Sequence, residues 1–120
     1  MVIDTNILIA YLDGQKDVVE AIQTWKSRSP LFISSISRIE MLALAKLTPA
    51  DIEEIKSFLE NFISVPLDDR LAETAALLRR NYKLELADAI IIATATDKQL
   101  PLVSRDRQFK KIPEITVIEI

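Results

Sequence analysis

The stretch LADAIIIATATDKQ, residues 86–99, is apolar on nearly every side between Ala89 and Ala95. Ile90 to Ile92 alone would suit a strand, but Ala89, Ala93, Thr94 and Ala95 favour a helix. A helix with no wholly polar face must be buried on several sides. It therefore needs neighbours in more than one direction, which confines the chain to a layered fold with this helix near the centre.

The flanking segments supply those layers. Met1 to Ile3, Leu31 to Ile33, Val65 to Leu67, Leu102-Val103 and Thr116 to Ile120 read as short strands. Pro66 places the third of these at a sheet edge, because proline cannot donate to a central ladder. Helical spacing recurs between them: Thr5 to Leu12, a second helix through Val18, Ile22 and Trp25, and a third from Ser35 to about Leu47. Thr48-Pro49 then offers an N-cap with proline at the first helical position, opening a helix with Ile52, Ile55, Leu59 and Phe62 on one face. Asp68 or Asp69 caps a fifth helix carrying Leu71, Ala75, Leu78 and Tyr82, with a bend over residues 81–84. Strands alternating with helices predict an α/β fold, a three-layer sandwich with a mostly parallel central sheet flanked by helices. With one glycine, five prolines and no repetitive or single-sign stretch, residues 1–120 read as a single domain without a linker.

Composition removes most catalytic options. There is no Cys and no His, so a thiolate nucleophile, a Ser-His-Asp triad, an imidazole base and the usual zinc ligands are all excluded. Carboxylates remain, and they suit hard cations such as Mg²⁺ or Mn²⁺. The net charge of -3 argues against gripping nucleic acid by bulk charge, although Arg105, Arg107, Lys110 and Lys111 form one local basic group and Arg79, Arg80 and Lys83 another. No apolar run is long enough to cross a bilayer, and the N-terminus lacks the basic flank and cleavage site of a signal peptide, which predicts a cytoplasmic protein with no membrane partner.

Four acids occupy unusual places. In a parallel sheet the ligand crevice lies beyond the carboxyl ends of the strands. Asp4 follows the first strand directly, and Asp106 follows Leu102-Val103 after two residues, so both reach the same edge. Each alone has a simpler reading, Asp4 as a helix cap and Asp106 as a turn residue. Glu40 falls in the stripe Ile36, Ala43, Leu44, Leu47, and Asp88 in the stripe continued by Ile91, Ile92 and Ala95. A carboxylate in a buried stripe is costly unless paired, protonated or bound to a cation. Glu40 has possible partners in Arg38 and Lys46, whereas residues 86–93 contain no cation for Asp88. If the four converge, each pair about 4 Å apart repels by roughly 4 kcal/mol at an effective dielectric near 20. A divalent cation would relieve that repulsion, and without one at least one carboxyl should titrate high.

These residues stand in four segments: Val2-Ile3-Asp4-Thr5-Asn6, Ser37-Arg38-Ile39-Glu40, Leu86-Ala87-Asp88-Ala89-Ile90 with Ala93-Thr94-Ala95, and Leu102-Val103-Ser104-Arg105-Asp106 with Phe109. In this order they resemble a PIN-domain ribonuclease, most of all a VapC-type toxin of a toxin-antitoxin pair. The resemblance implies that Asp4, Glu40, Asp88 and Asp106 bind one or two divalent ions, Mg²⁺ or Mn²⁺. It makes Thr5, Asn6 and Ser104 candidates to orient those carboxylates or the metal's waters. The implied reaction is in-line hydrolysis of an RNA phosphodiester, leaving 5′-phosphate and 3′-hydroxyl ends. Arg105, Arg107, Lys110 and Lys111 then become candidate contacts to the RNA backbone, and Arg38 another unless it pairs with Glu40. Gln108 stands where such proteins commonly carry a further acid.

The implied partners are RNA, a cognate antitoxin protein and a second copy of the chain. Two other readings stay open. One is a catalytically weak scaffold that binds RNA or protein, and the other an acid-cluster nuclease acting on DNA. Neither an Asp-x-Asp motif after the first strand nor a glycine-rich phosphate loop is present.

Overall fold

The computed structural model describes residues 1–120. In chain order it contains β1 (Val2–Ile3), α1 (Thr5–Leu12), α2 (Lys16–Lys26), β2 (Phe32–Ser34), α3 (Ser35–Leu42), α4 (Pro49–Leu59), β3 (Ile63–Val65), α5 (Asp69–Tyr82), α6 (Leu86–Lys98), β4 (Leu102–Val103), a 3₁₀ helix (Arg107–Lys111) and β5 (Val117–Ile118). The five strands form one sheet in the order β3-β2-β1-β4-β5, and every pairing is parallel. The α/β sandwich expected from the alternating pattern is the one observed.

Strand alternation divides the core in two. Val2 and Leu102 point into a cluster with Leu71, Ala75, Leu78 and the apolar body of α6. Their neighbours Ile3 and Val103 point the other way, into a cluster with Ile7, Leu8, Val18, Ile22, Ile55 and Leu59 from α1, α2 and α4. Successive side chains on a strand face opposite sides, so two residues suffice to nail each short central strand to both layers. Residues 89–95 of α6 are all buried, as its all-round apolar character requires.

Local chemistry sets most boundaries. Thr48 and Asp51 form a reciprocal capping box with Pro49 at the first helical position of α4, and Asp68 accepts from Leu71 N to cap α5. The expected Val65 to Leu67 strand lies two residues earlier, because Pro66 ends the ladder instead of joining it. Its predicted edge position is correct. The third helix stops at Leu42 and not at Leu47: Ala43 leaves helical geometry, and Lys46 adopts a left-handed conformation at φ 64°. Ala43 and Leu44 are exposed, so the stripe drawn through them is corrected to one through Ser37 and Met41, both fully buried. α5 runs through Asn81 to Tyr82 before Lys83, also left-handed, ends it.

Candidate active site

The sheet order reverses at β1, whose two neighbours β2 and β4 lead in opposite directions across the sheet. A crevice beyond the carboxyl ends of the strands at such a switch point is where parallel α/β folds place ligands. Ile3 pairs with Val103, so the next residues on the two strands, Asp4 and Ser104, emerge side by side. Asp4 N donates to Val103 O at 3.0 Å, and Ser104 Oγ donates to Asp4 Oδ2 at 2.6 Å. The other oxygen, Asp4 Oδ1, accepts from Thr5 N at 2.8 Å. Asp4 is therefore both the helix cap of α1 and a buried acid at the switch point, with only 5% of its surface exposed.

Thr5 links Asp4 to the helix that carries Glu40. Its hydroxyl lies 2.7 Å from Glu40 Oε1 and 2.9 Å from Ser37 Oγ. It has one proton, which goes to the carboxylate because that group can only accept. Ser104 acts as a second connector: while its hydroxyl donates to Asp4, its oxygen accepts from Asp106 N at 3.0 Å. Asp106 in turn caps the 3₁₀ helix by accepting from Gln108 N at 3.0 Å. Asn6 is exposed, with its side chain outside this network.

Electrostatics shows which acids share the crevice. Asp88 is half-buried in the first turn of α6, and its pKa is pushed up to about 6, first by burial and then by the charges of Asp4, Asp106, Glu85 and Glu40. Burial also raises Asp4, opposed by its bonds to Ser104 and Thr5 and reinforced by the charges of Glu40 and Asp106. None of Asp4, Glu40, Asp88 and Asp106 forms an ion pair with Lys or Arg. Glu85, the residue preceding α6, is an acid that sequence reasoning missed. It lies outside the apolar stripe, and only its place three residues before Asp88 on a helix could have flagged it.

No group of three or more acidic side chains is arranged to hold an ion as it stands. The expectation that all four point together into one cleft is corrected to a looser gathering. The bonds from Thr5 N and Ser104 to Asp4, from Thr5 to Glu40 and from Gln108 N to Asp106 fix the orientation of three of the carboxylates.

Arg38, Arg105, Arg107 and Lys110, named as candidate RNA contacts, have partners within the chain. Arg105 donates to Ile120 O at 3.0 Å and to Gln15 Oε1 at 2.7 Å, and lies 3.7 Å from Asp17. Arg107 and Lys110 both pair with Glu119, at 3.3 and 2.5 Å. Arg38 donates to Ser64 Oγ at 3.1 Å instead of pairing with Glu40, because β3 lies alongside the start of α3. Lys111 is exposed.

A doubly wound parallel α/β sandwich with a carboxylate-lined switch point defines a class of fold and site. Within that class, the family model for the PIN domain matches residues 1–115, and the chain belongs to that family. Among solved structures, a chain of a toxin-antitoxin complex from Klebsiella pneumoniae is 34% identical, with a TM-score of 0.84 covering 99% of this chain and 98% of that one. Two more distant chains share the fold: VapBC2 from Rickettsia felis bound to a promoter DNA fragment, at 18% identity, TM-score 0.86 and coverage of 98% and 96%, and DNA-bound VapBC from Salmonella typhimurium, at 21% identity, TM-score 0.83 and coverage of 98% and 96%. A comparison with curated protein sequences returned no match.

Proposed function

We propose that this chain is a divalent-metal-dependent RNA endonuclease, the VapC-type toxin of a toxin-antitoxin pair. The observation that carries the reading is the placement of acids without a Lys or Arg partner at the switch point, Asp4 nearly fully buried and Asp88 half-buried with its carboxyl pushed up to about 6, first by burial and then by the charges of Asp4, Asp106, Glu85 and Glu40. Asp4 and Asp106 also cap helices, but capping accounts for neither Glu40 nor the half-buried Asp88, and a perturbed carboxyl with no cation beside it in a crevice is characteristic of a functional site. Membership of the PIN family and the likeness to a chain from a toxin-antitoxin complex support the same reading.

The donor set is all oxygen, which fits Mg²⁺ or Mn²⁺. Asp4, Glu40, Asp88 and Asp106 would hold the ion, which when bound supplies Lewis-acid stabilisation of the phosphoryl oxygens and a water acidic enough to attack near neutral pH. The chain's own work is positioning. Ser104 and Thr5 N fix Asp4, the Thr5 hydroxyl fixes Glu40, and the Asp106 backbone is tied to Ser104, so three acids are oriented through two hydroxyls. Asp88 has no such tether and is free to close on a cation. A cognate antitoxin and a second copy of the chain are the proposed protein partners.

The test is incubation of the purified protein with structured RNA and DNA in Mg²⁺, Mn²⁺ or chelator, beside Asp88→Asn. RNA cleavage is expected only with metal, and Asp88→Asn should slow it by roughly 100-fold or more. Cleavage that survives both chelator and substitution overturns the metal-nuclease reading, and equal or faster cleavage of DNA replaces RNA with DNA as the substrate.

A further inference from the structure

The second basic group, Arg79, Arg80 and Lys83, has no role in the site described above. The three side chains line a shallow, open groove of about 540 Å³ together with Ala76 and Leu84. The groove sits where α5 ends and the chain turns into α6. None of the three cations forms an ion pair. Arg79 Nε donates to Leu84 O at 3.0 Å, which fixes the guanidinium against the turn and leaves its two terminal nitrogens free. A single cation in the last helical turn would complement the helix dipole. Three around one concavity exceed that need.

We propose that this groove seats the phosphate backbone of the RNA beside the cleavage site, an inference that rests on the ribonuclease reading above. Leu84 in the groove wall and Asp88 in the site are four residues apart, so their Cα atoms lie within about 14 Å of each other even were the chain fully extended. A strand engaged at Asp88 therefore reaches the groove within a few nucleotides. The occupant is an anion because the lining offers donors and positive charge. A polyanionic strand is favoured over a small anion because the groove is open and shallow and does not enclose a ligand. The groove also offers an acidic protein a hold on RNA: in the first basic group Arg105, Arg107 and Lys110 have acidic or backbone partners, whereas in this one only Arg79 Nε is engaged.

The experiment compares wild type with Arg80→Gln/Lys83→Gln, both exposed positions, and with Lys16→Gln/Arg28→Gln as a charge-matched control on the α2 side. Thermal melting first establishes that all three are folded. Steady-state cleavage of a fluorescent RNA in Mn²⁺ is then measured across a salt series. The groove variant is expected to raise KM about tenfold with kcat unchanged. It should also flatten the slope of log(kcat/KM) against log salt by about 1.4, at roughly 0.7 for each single-strand phosphate that the variant no longer neutralises. The control should follow wild type. Wild-type cleavage with an unchanged KM and salt slope in the groove variant overturns the groove alone. A wild type that cleaves no RNA overturns the ribonuclease reading, and the groove's role falls with it. An equal loss in the control also overturns the proposal, by showing that net charge and not this groove holds the strand.

Discussion

Asp88 occupies the first turn of a helix, where the macrodipole ordinarily favours a negative charge, yet its pKa rises from 3.8 to about 6. Burial and four neighbouring acids outweigh the dipole. A carboxyl raised in the folded state stabilises the protein while it is protonated. That contribution is fully present below the unfolded value near 3.8 and is lost as pH rises through about 6. The metal-free protein should accordingly lose melting temperature between about pH 4 and 6.5, and Asp88→Asn should flatten that slope, as thermal melts in chelator would show. An unchanged slope would mean that neither burial nor the neighbouring acids raise the Asp88 carboxyl in the folded protein. Ser104 makes a contrasting prediction, since its hydroxyl serves Asp4 and Asp106 N together while wholly buried. Ser104→Ala should destabilise by about 1–3 kcal/mol in urea denaturation, and cleavage should fall because Asp4 loses its orientation.

Among the elements, the short strands are held by what flanks them. β1 and β4 have two residues each, too few for a stable ladder alone, and their strength lies in Val2, Ile3, Leu102 and Val103 being fully buried on alternating faces. α6 supplies much of one layer. Ile92→Ala within it should cost about 2–5 kcal/mol by leaving a cavity, measurable as a lower urea midpoint. Thr48→Ala dismantles the capping box of α4, at a cost of about 1 kcal/mol, and RNA cleavage should be retained because the box is exposed and its bonds are confined to Thr48 and Asp51. Loss of activity in proportion to that of Ser104→Ala would link α4 to the site. The boundaries that sequence periodicity misjudged share a cause. At α3, Ile36, Glu40, Ala43, Leu44 and Leu47 satisfy a helical period, but nothing in the period says that Ala43 leaves the helix. The 3₁₀ helix over Arg107–Lys111 has no apolar period at all, and only its Asp106 cap marks it.

At the scale of the molecule, five parallel strands converge their carboxyl ends on one edge, and the reversal of strand order at β1 opens the crevice there. The cation predicted for that crevice would neutralise repulsion that folding itself creates. Adding Mn²⁺ at neutral pH should raise the melting temperature, and the rise should vanish in Asp4→Asn/Asp88→Asn. At 100 times the dissociation constant the stabilisation is about 2.7 kcal/mol. A melting temperature indifferent to metal in the wild type would speak against the site. The same long-range assembly explains Ser104, which lies 100 positions from Asp4 yet bonds it directly.

Residue pattern alone determined the alternation of strands and helices, the buried centre at residues 89–95, the edge place of the third strand, and the exclusion of thiol and imidazole chemistry. Those properties are local: periodicity, proline's missing N–H and the absence of a residue type can all be read along the chain. Only the tertiary structure decided that Asp4, while capping α1, feels the charges of Glu40 and Asp106, that Thr5 bonds to Glu40, and that Glu85 joins the field on Asp88. It likewise decided that Arg105, Arg107 and Lys110 are consumed by Gln15, Asp17, Glu119 and the C-terminal backbone while Arg79, Arg80 and Lys83 remain open. Charge interactions depend on separation in space and on burial, and neither is set until distant segments have packed.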